Sequence, residues 1–198
     1  MNQENNIAII TTSRSELGLL KGVIFHLSKL SKLTLFVGGS HLIDEDSYAE
    51  ITNLTHQLNL NEVKLDFFET VKINNLTPLN QVTILGEMGR FMVTHLKELN
   101  IDLLIMLGDR WELLSAAISA LFIRIPIAHI SGGEVTEAAI DENIRHAVTK
   151  LSHIHMVANE DAKKRVIKLG ENKKYVFNVG CPYIDLIKST KIINKKTL

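Results

Sequence analysis

The chain has 198 residues, 45% of them hydrophobic, with Lys plus Arg and Asp plus Glu balanced at 22 each. A chain of this length buries roughly 70% of its unfolded surface in one core, and a formal net charge of +0 excludes a general field that would draw in nucleic acid or an anionic membrane. One cysteine, Cys181, excludes an internal disulfide; without a signal-like segment or the roughly 20 apolar residues of a membrane span, the chain is expected to be cytoplasmic.

Short apolar, β-branched runs alternate with segments of helical period, the pattern of βα units in a parallel sheet with helices on both faces. Strands are predicted at about 7–11, 33–37, 63–67, 102–107, 125–130, 154–157 and 175–179, and helices at about 16–30, 43–58, 80–98, 111–123, 140–150 and 160–169. Leu17, Leu20, Ile24, Leu27 and Leu30 recur three or four apart and make one buried stripe. Leu103 to Leu107 is apolar on both faces, as a mid-sheet strand must be. Pro78 and Pro182 fall in predicted connections and Pro126 opens a strand. Residues 1–187 read as one domain, and 188–198, with Lys188, Lys191, Lys195 and Lys196, as a basic tail or the start of a connection to a further domain.

In an open parallel sheet ligands bind beyond the carboxyl ends of the strands, so polar residues that directly follow strands are the candidates. After the first strand, Thr11-Thr12-Ser13-Arg14-Ser15-Glu16 enters a helix. Its free N–H groups and Arg14 suit a phosphate, and a plain serine cap with Arg14 in solvent suits it equally. The G-x-G-x-x-G spacing is absent, which argues against a nicotinamide cofactor. After the second strand, Gly38-Gly39-Ser40-His41 places a histidine at the expected rim, as a proton carrier or an ordinary loop residue.

The fourth strand runs into Gly108-Asp109-Arg110 and the fifth into Ser131-Gly132-Gly133-Glu134, which sets two carboxylates at the same edge. On the next helix Asp141 and Arg145 are four apart, as are Glu142 and His146; by themselves these read as exposed helix ion pairs. His153 and His155 share one strand face, but no third ligand has metal-site spacing, so packing or hydrogen bonding is the expectation. Cys181 has no basic partner and is expected to be small and buried.

Taken together, TSRSELGLL at 12–20, VGGSHLID at 37–44, LGDRWE at 107–112, AHISGGEVTEAAIDENIRHAVTKLSHIH at 128–155 and VGCPYIDLI at 179–187 resemble the hydrolysing UDP-N-acetylglucosamine 2-epimerases. The resemblance covers nearly the whole chain. It implies the N-terminal Rossmann-like half of a two-domain, glycosyltransferase B-type fold, a UDP-sugar substrate, no metal or redox cofactor, self-association, and a covalently linked C-terminal domain. It also implies proton transfer by Asp109 and Asp141, with Glu134 as a further acid/base or orienting group. Arg14 is then assigned to the leaving diphosphate, and Arg145, His146 and His41 to the sugar site, with Arg110, Gly132 and Gly133 also lining the substrate. Ser131 is a departure, because relatives often carry Glu or His immediately before the glycine pair.

Overall fold

The computed structural model describes residues 5–65, 77–137 and 140–189. Among these residues, β1 (Asn6–Thr11), β2 (Lys32–Val37), β3 (Asn61–Lys64), β4 (Leu103–Leu107), β5 (Ile127–Ile130), β6 (Ile154–Val157) and β7 (Val176–Asn178) form one parallel sheet in the order β3-β2-β1-β4-β5-β6-β7. The strand expected at mid-sheet, β4, has three strands on each side.

Seven α-helices connect or follow the strands among the described residues: α1 (Arg14–Leu27), α2 (Glu45–Leu58), α3 (Pro78–Glu98), α4 (Glu112–Phe122), α5 (Ile140–Leu151), α6 (Glu160–Lys168) and α7 (Pro182–Ser189). Several begin where a short polar side chain caps the first turn: the N–H of Ser47 donates to Asp44, that of Asn80 to Thr77 and that of Ala162 to Asn159. Pro78 adds a preset φ in the first turn of α3.

Alternate strand residues point to opposite faces. Ile7, Ile9, Leu33, Leu35 and Ile105 pack with Leu17, Leu20 and Ile24 of α1 and Ile51 of α2. Ala8, Ile10, Leu104 and Met106 pack on the other face with Met88, Met92 and Leu96 of α3 and Leu113, Ala116 and Ala120 of α4. Parallel strands need this double cover, because both of their faces are apolar.

Three local expectations are corrected. The third strand pairs over Asn61–Lys64, earlier than about 63–67, and residues 66–67 lie outside the described residues. Pro78 and Pro182 open α3 and α7 instead of lying in connections, a use of proline that the first helical turn favours. Cys181, just before that helix, is partly exposed rather than buried. Lys188 falls within α7, and residues 190–198 lie outside the described residues. No helix among the described residues is long and apolar enough to cross a membrane.

Candidate active site

The strand order reverses between β1 and β4, so the loops that leave these two strands diverge to opposite sides and open a crevice at the carboxyl edge. Three loops meet there. Ser40 donates its N–H (2.9 Å) and its hydroxyl (3.2 Å) to the Thr12 carbonyl, and the Gly38 N–H donates to the Thr11 carbonyl at 3.0 Å. The Thr12 N–H and hydroxyl in turn donate to Glu16 at 2.8 and 2.9 Å. Glu16 is 6% exposed, and its burial pushes the carboxyl pKa up despite the bonds from Thr12.

The third loop carries Gly108, Asp109 and Arg110. Gly108 adopts φ +85, a conformation that glycine supplies without steric cost. Behind it stands His129, fully enclosed, with Nε2 2.7 Å from the Gly108 carbonyl and Nδ1 3.1 Å from the Thr149 hydroxyl. A carbonyl only accepts, so this geometry assigns the proton to Nε2. Burial lowers the His129 pKa to about 4, which keeps the ring neutral near pH 7.

Asp109 is met by Arg145, whose Nη2 contacts its Oδ2. The same guanidinium donates to the Glu134 carbonyl at 3.0 Å and to the Thr136 hydroxyl at 2.9 Å. The Arg145 side chain is only 7% exposed, and burial lowers its pKa. Arg145 therefore joins the loops after β4 and β5 to α5. Asp141 is exposed one turn earlier on that helix, and its charge acts on Arg110. The Glu134 carboxylate is half-buried, with the Asn159 amide 3.4 Å away. The candidate acids Asp109, Glu134 and Asp141 thus belong to one rim, with Arg145 holding the first directly and the second through its backbone.

Other candidates sit differently. Asp141 does not pair with Arg145 as helix spacing suggested; the long-range partner is Asp109. His146 does face Glu142, at 3.6 Å. His41 is not at the rim. It is fully buried, with Nε2 3.0 Å from Thr11 Oγ1 and Nδ1 2.6 Å from Ser47 Oγ, and burial lowers its pKa to about 4. Ser13 caps α1, and Arg14 is 65% exposed and turned toward Glu50 at 3.5 Å.

Gly132 and Gly133 are buried by packing. A Cβ at Gly132 would stand 3.0 Å from Thr149 Oγ1, and one at Gly133, at φ +77, would stand 2.5 Å from the Ala162 carbonyl. His153 accepts from the Ile127 N–H at 3.2 Å and His155 faces Glu171 at 3.1 Å, the hydrogen-bonding roles expected of them. Sequence reasoning missed Thr136, His129, Thr149 and Glu112. Of these only Glu112, beside the GDR string, carried a local signal.

A parallel sheet wound on both faces, with its polar groups gathered past the strand ends, places the chain among the Rossmann-like α/β proteins. A family model described as UDP-N-acetylglucosamine 2-epimerase matches residues 27–198, and the chain belongs to that family. It is 34% identical over 98% of its length to the GDP/UDP-N,N'-diacetylbacillosamine 2-epimerase (hydrolyzing) of Campylobacter jejuni, covering 50% of that protein. It is 31% identical over 94% of its length to the UDP-N-acetylglucosamine 2-epimerase of Neisseria meningitidis, covering 48% of that protein. The chain spans about half the length of the curated relatives it matches.

The fold is similar to that of the Neisseria meningitidis UDP-GlcNAc 2-epimerase crystallised with UDP-GlcNAc, with a TM-score of 0.75 at 17% identity, over 92% of this chain and 48% of that one. The Methanocaldococcus jannaschii enzyme in complex with UDP-GlcNAc and UDP gives a TM-score of 0.74 at 22% identity, over 91% of this chain and 48% of that one.

Proposed function

We propose that this chain is the catalytic half of a hydrolysing epimerase that converts UDP-N-acetylglucosamine and water to N-acetylmannosamine and UDP. The C2 proton passes to a base while the C1–O bond breaks with UDP leaving, which gives a 2-acetamidoglucal. Water then adds at C1, and a proton returns to C2 on the opposite face. Asp109 and Asp141 divide the proton transfers, and Glu134 orients the sugar or serves as a further acid or base. His146 and Arg145 shape the sugar side. Arg110, after β4, and Arg14, after β1, stand on the two sides of the strand-order reversal and serve the departing anion.

The observation that carries this reading is the clamp of Arg145 on Asp109 and on the Glu134 backbone, with Asp141 on the same helix. A fixed cation between two loops and a helix holds the Asp109 carboxylate and the Glu134 backbone in one geometry, and its own helix carries Asp141, a fixed arrangement of the kind that proton transfer at a single carbon requires.

A related substrate, a UDP-2,4-diacetamido-trideoxy sugar, is favoured by the names of two relatives, the diacetylbacillosamine epimerases of Campylobacter jejuni and Legionella pneumophila, at 34% and 33% identity. Both readings include a C-terminal domain and self-association as partners.

The test incubates the chain with each UDP-sugar and follows free UDP and the released sugar. Turnover by the 198-residue segment taken alone is expected to lie roughly a hundredfold or more below that of the full-length relatives, because the segment spans about half their length. Asp109→Asn abolishes what remains. UDP release that survives this substitution rejects the assignment.

A further inference from the structure

Glu112 is the first residue of α4 and lies two positions after Arg110. It is 4% exposed, an expensive place for a carboxylate unless something depends on it. Its Oε1 accepts from Arg110 Nη2 at 2.7 Å. Arg110 itself is not buried to the same degree; its side chain is 38% exposed at the crevice. The pair is therefore lopsided, with the anion sunk in the protein and the cation at the opening.

The surroundings are built to admit the carboxylate. Gly39 adopts φ +58, and a Cβ there would stand 2.4 Å from the Thr12 carbonyl and 3.1 Å from Glu112 Oε1. Thr12, Gly38, Gly39, Trp111 and Glu112 are among the residues around a small cavity of about 20 Å³, room for roughly one water. Glu112 Oε2 and Arg110 Nε are both buried without a hydrogen-bond partner. Burial works against the Arg110 charge, but Glu112, Glu16 and Asp141 outweigh it and hold its pKa above the ordinary value. Glu16 is occupied by Thr12 and Ser13, and Asp141 lies on the facing helix. Glu112 is the carboxylate in hydrogen-bond contact with Arg110.

We infer that Glu112 is a positioning residue, which holds the Arg110 guanidinium at the crevice between the β1 and β4 loops so that its outer N–H groups meet an anionic oxygen such as that of a diphosphate. The identity of that anion rests on the nucleotide-sugar reading above; the hold on Arg110 does not. A guanidinium whose inner side is fixed by a carboxylate loses little rotational freedom on binding, and that lowers the entropic cost of the charge-assisted bond it makes outward.

The test is a double-mutant cycle on UDP binding, with inorganic diphosphate as a second probe, read beside the 15N resonance of the Arg110 Nε–H. Glu112→Ala is expected to weaken UDP binding about tenfold in the wild-type background and to have no further effect beside Arg110→Ala. Its Arg110 signal is expected to average through free rotation. Where Glu112→Ala fails to fold, the isosteric Glu112→Gln carries the same comparison with a smaller loss. Unchanged UDP affinity, or an equal loss with and without Arg110, overturns the inference. If the wild-type chain binds neither UDP nor diphosphate, the nucleotide-sugar reading fails by itself. The resonance then decides for Glu112: a held signal released by the substitution supports it, and an unaltered signal overturns it.

Discussion

At the scale of single residues, the rim is organised by a side chain that helix spacing assigned to the wrong partner. Arg145 and Asp141 lie four apart on α5, yet the guanidinium reaches Asp109, thirty-six positions away in the chain. Its donors are divided among a carboxylate, a carbonyl and a hydroxyl, so no single replacement reproduces it. Arg145→Met is expected to cost about 2 kcal/mol of stability, measured by urea unfolding, because three acceptors lose a charged donor. Asp109→Asn costs less, since an amide oxygen still accepts. A larger loss from the asparagine variant would overturn this, by placing most of the stabilisation in the Asp109 charge rather than in the bonds of Arg145 to its other two partners. The acids were legible in the sequence because each directly follows a strand or opens a helix. His129 and Thr149 were not, because a histidine inside an apolar strand and a threonine inside a helix carry no mark of the carbonyl or hydroxyl they meet across the fold.

At the scale of elements, periodicity located the seven strands and the first six helices, since apolar spacing is a local property. The start of β3 was displaced because Asn61 and Glu62 are poor strand formers that pair only through their neighbour β2. The helix α7 was missed because a short segment behind a proline resembles a turn until its first-turn position is known. The glycines separate in the same way. Gly133 has no room for a methyl group and lies at φ +77, whereas nothing lies within 4 Å of a Cβ built at Gly18 in α1. Gly133→Ala is expected to destabilise by about 2 kcal/mol or more, through strain and contact with α6. Gly18→Ala is expected to stabilise by about 0.5–1 kcal/mol through helix propensity. Thermal melting of the two variants reads both signs, and a stabilising Gly133→Ala would reject the close approach of the glycine pair to α6.

At the scale of the whole molecule, three enclosed histidines, His41, His129 and His155, tie stability to pH through pKa values that burial lowers. Burial lowers the pKa of both His41 and His129 to about 4, against about 6.5 in the unfolded chain. Between those values the unfolded state binds protons that the folded state does not, so stability rises with pH through this window and falls as pH drops from about 6.5 toward about 4. Each histidine contributes a slope of up to about 1.4 kcal/mol per pH unit. Urea midpoints at pH 7 and pH 5 should differ accordingly, and His129→Gln should flatten the difference; equal slopes in the two proteins would place the effect elsewhere. The helix α5 joins these levels, since Asp141 faces the crevice, Arg145 grips Asp109, and Thr149 meets His129 beneath. These three lie along one stripe at intervals of four, and each residue turns a helix by about 100°. Deleting exposed Asn143 would therefore swing Arg145 and Thr149 about a quarter-turn away from Asp141 and uncouple all three tasks in one event. Length variation is forbidden inside this helix, however freely the surface loops of the fold accept it.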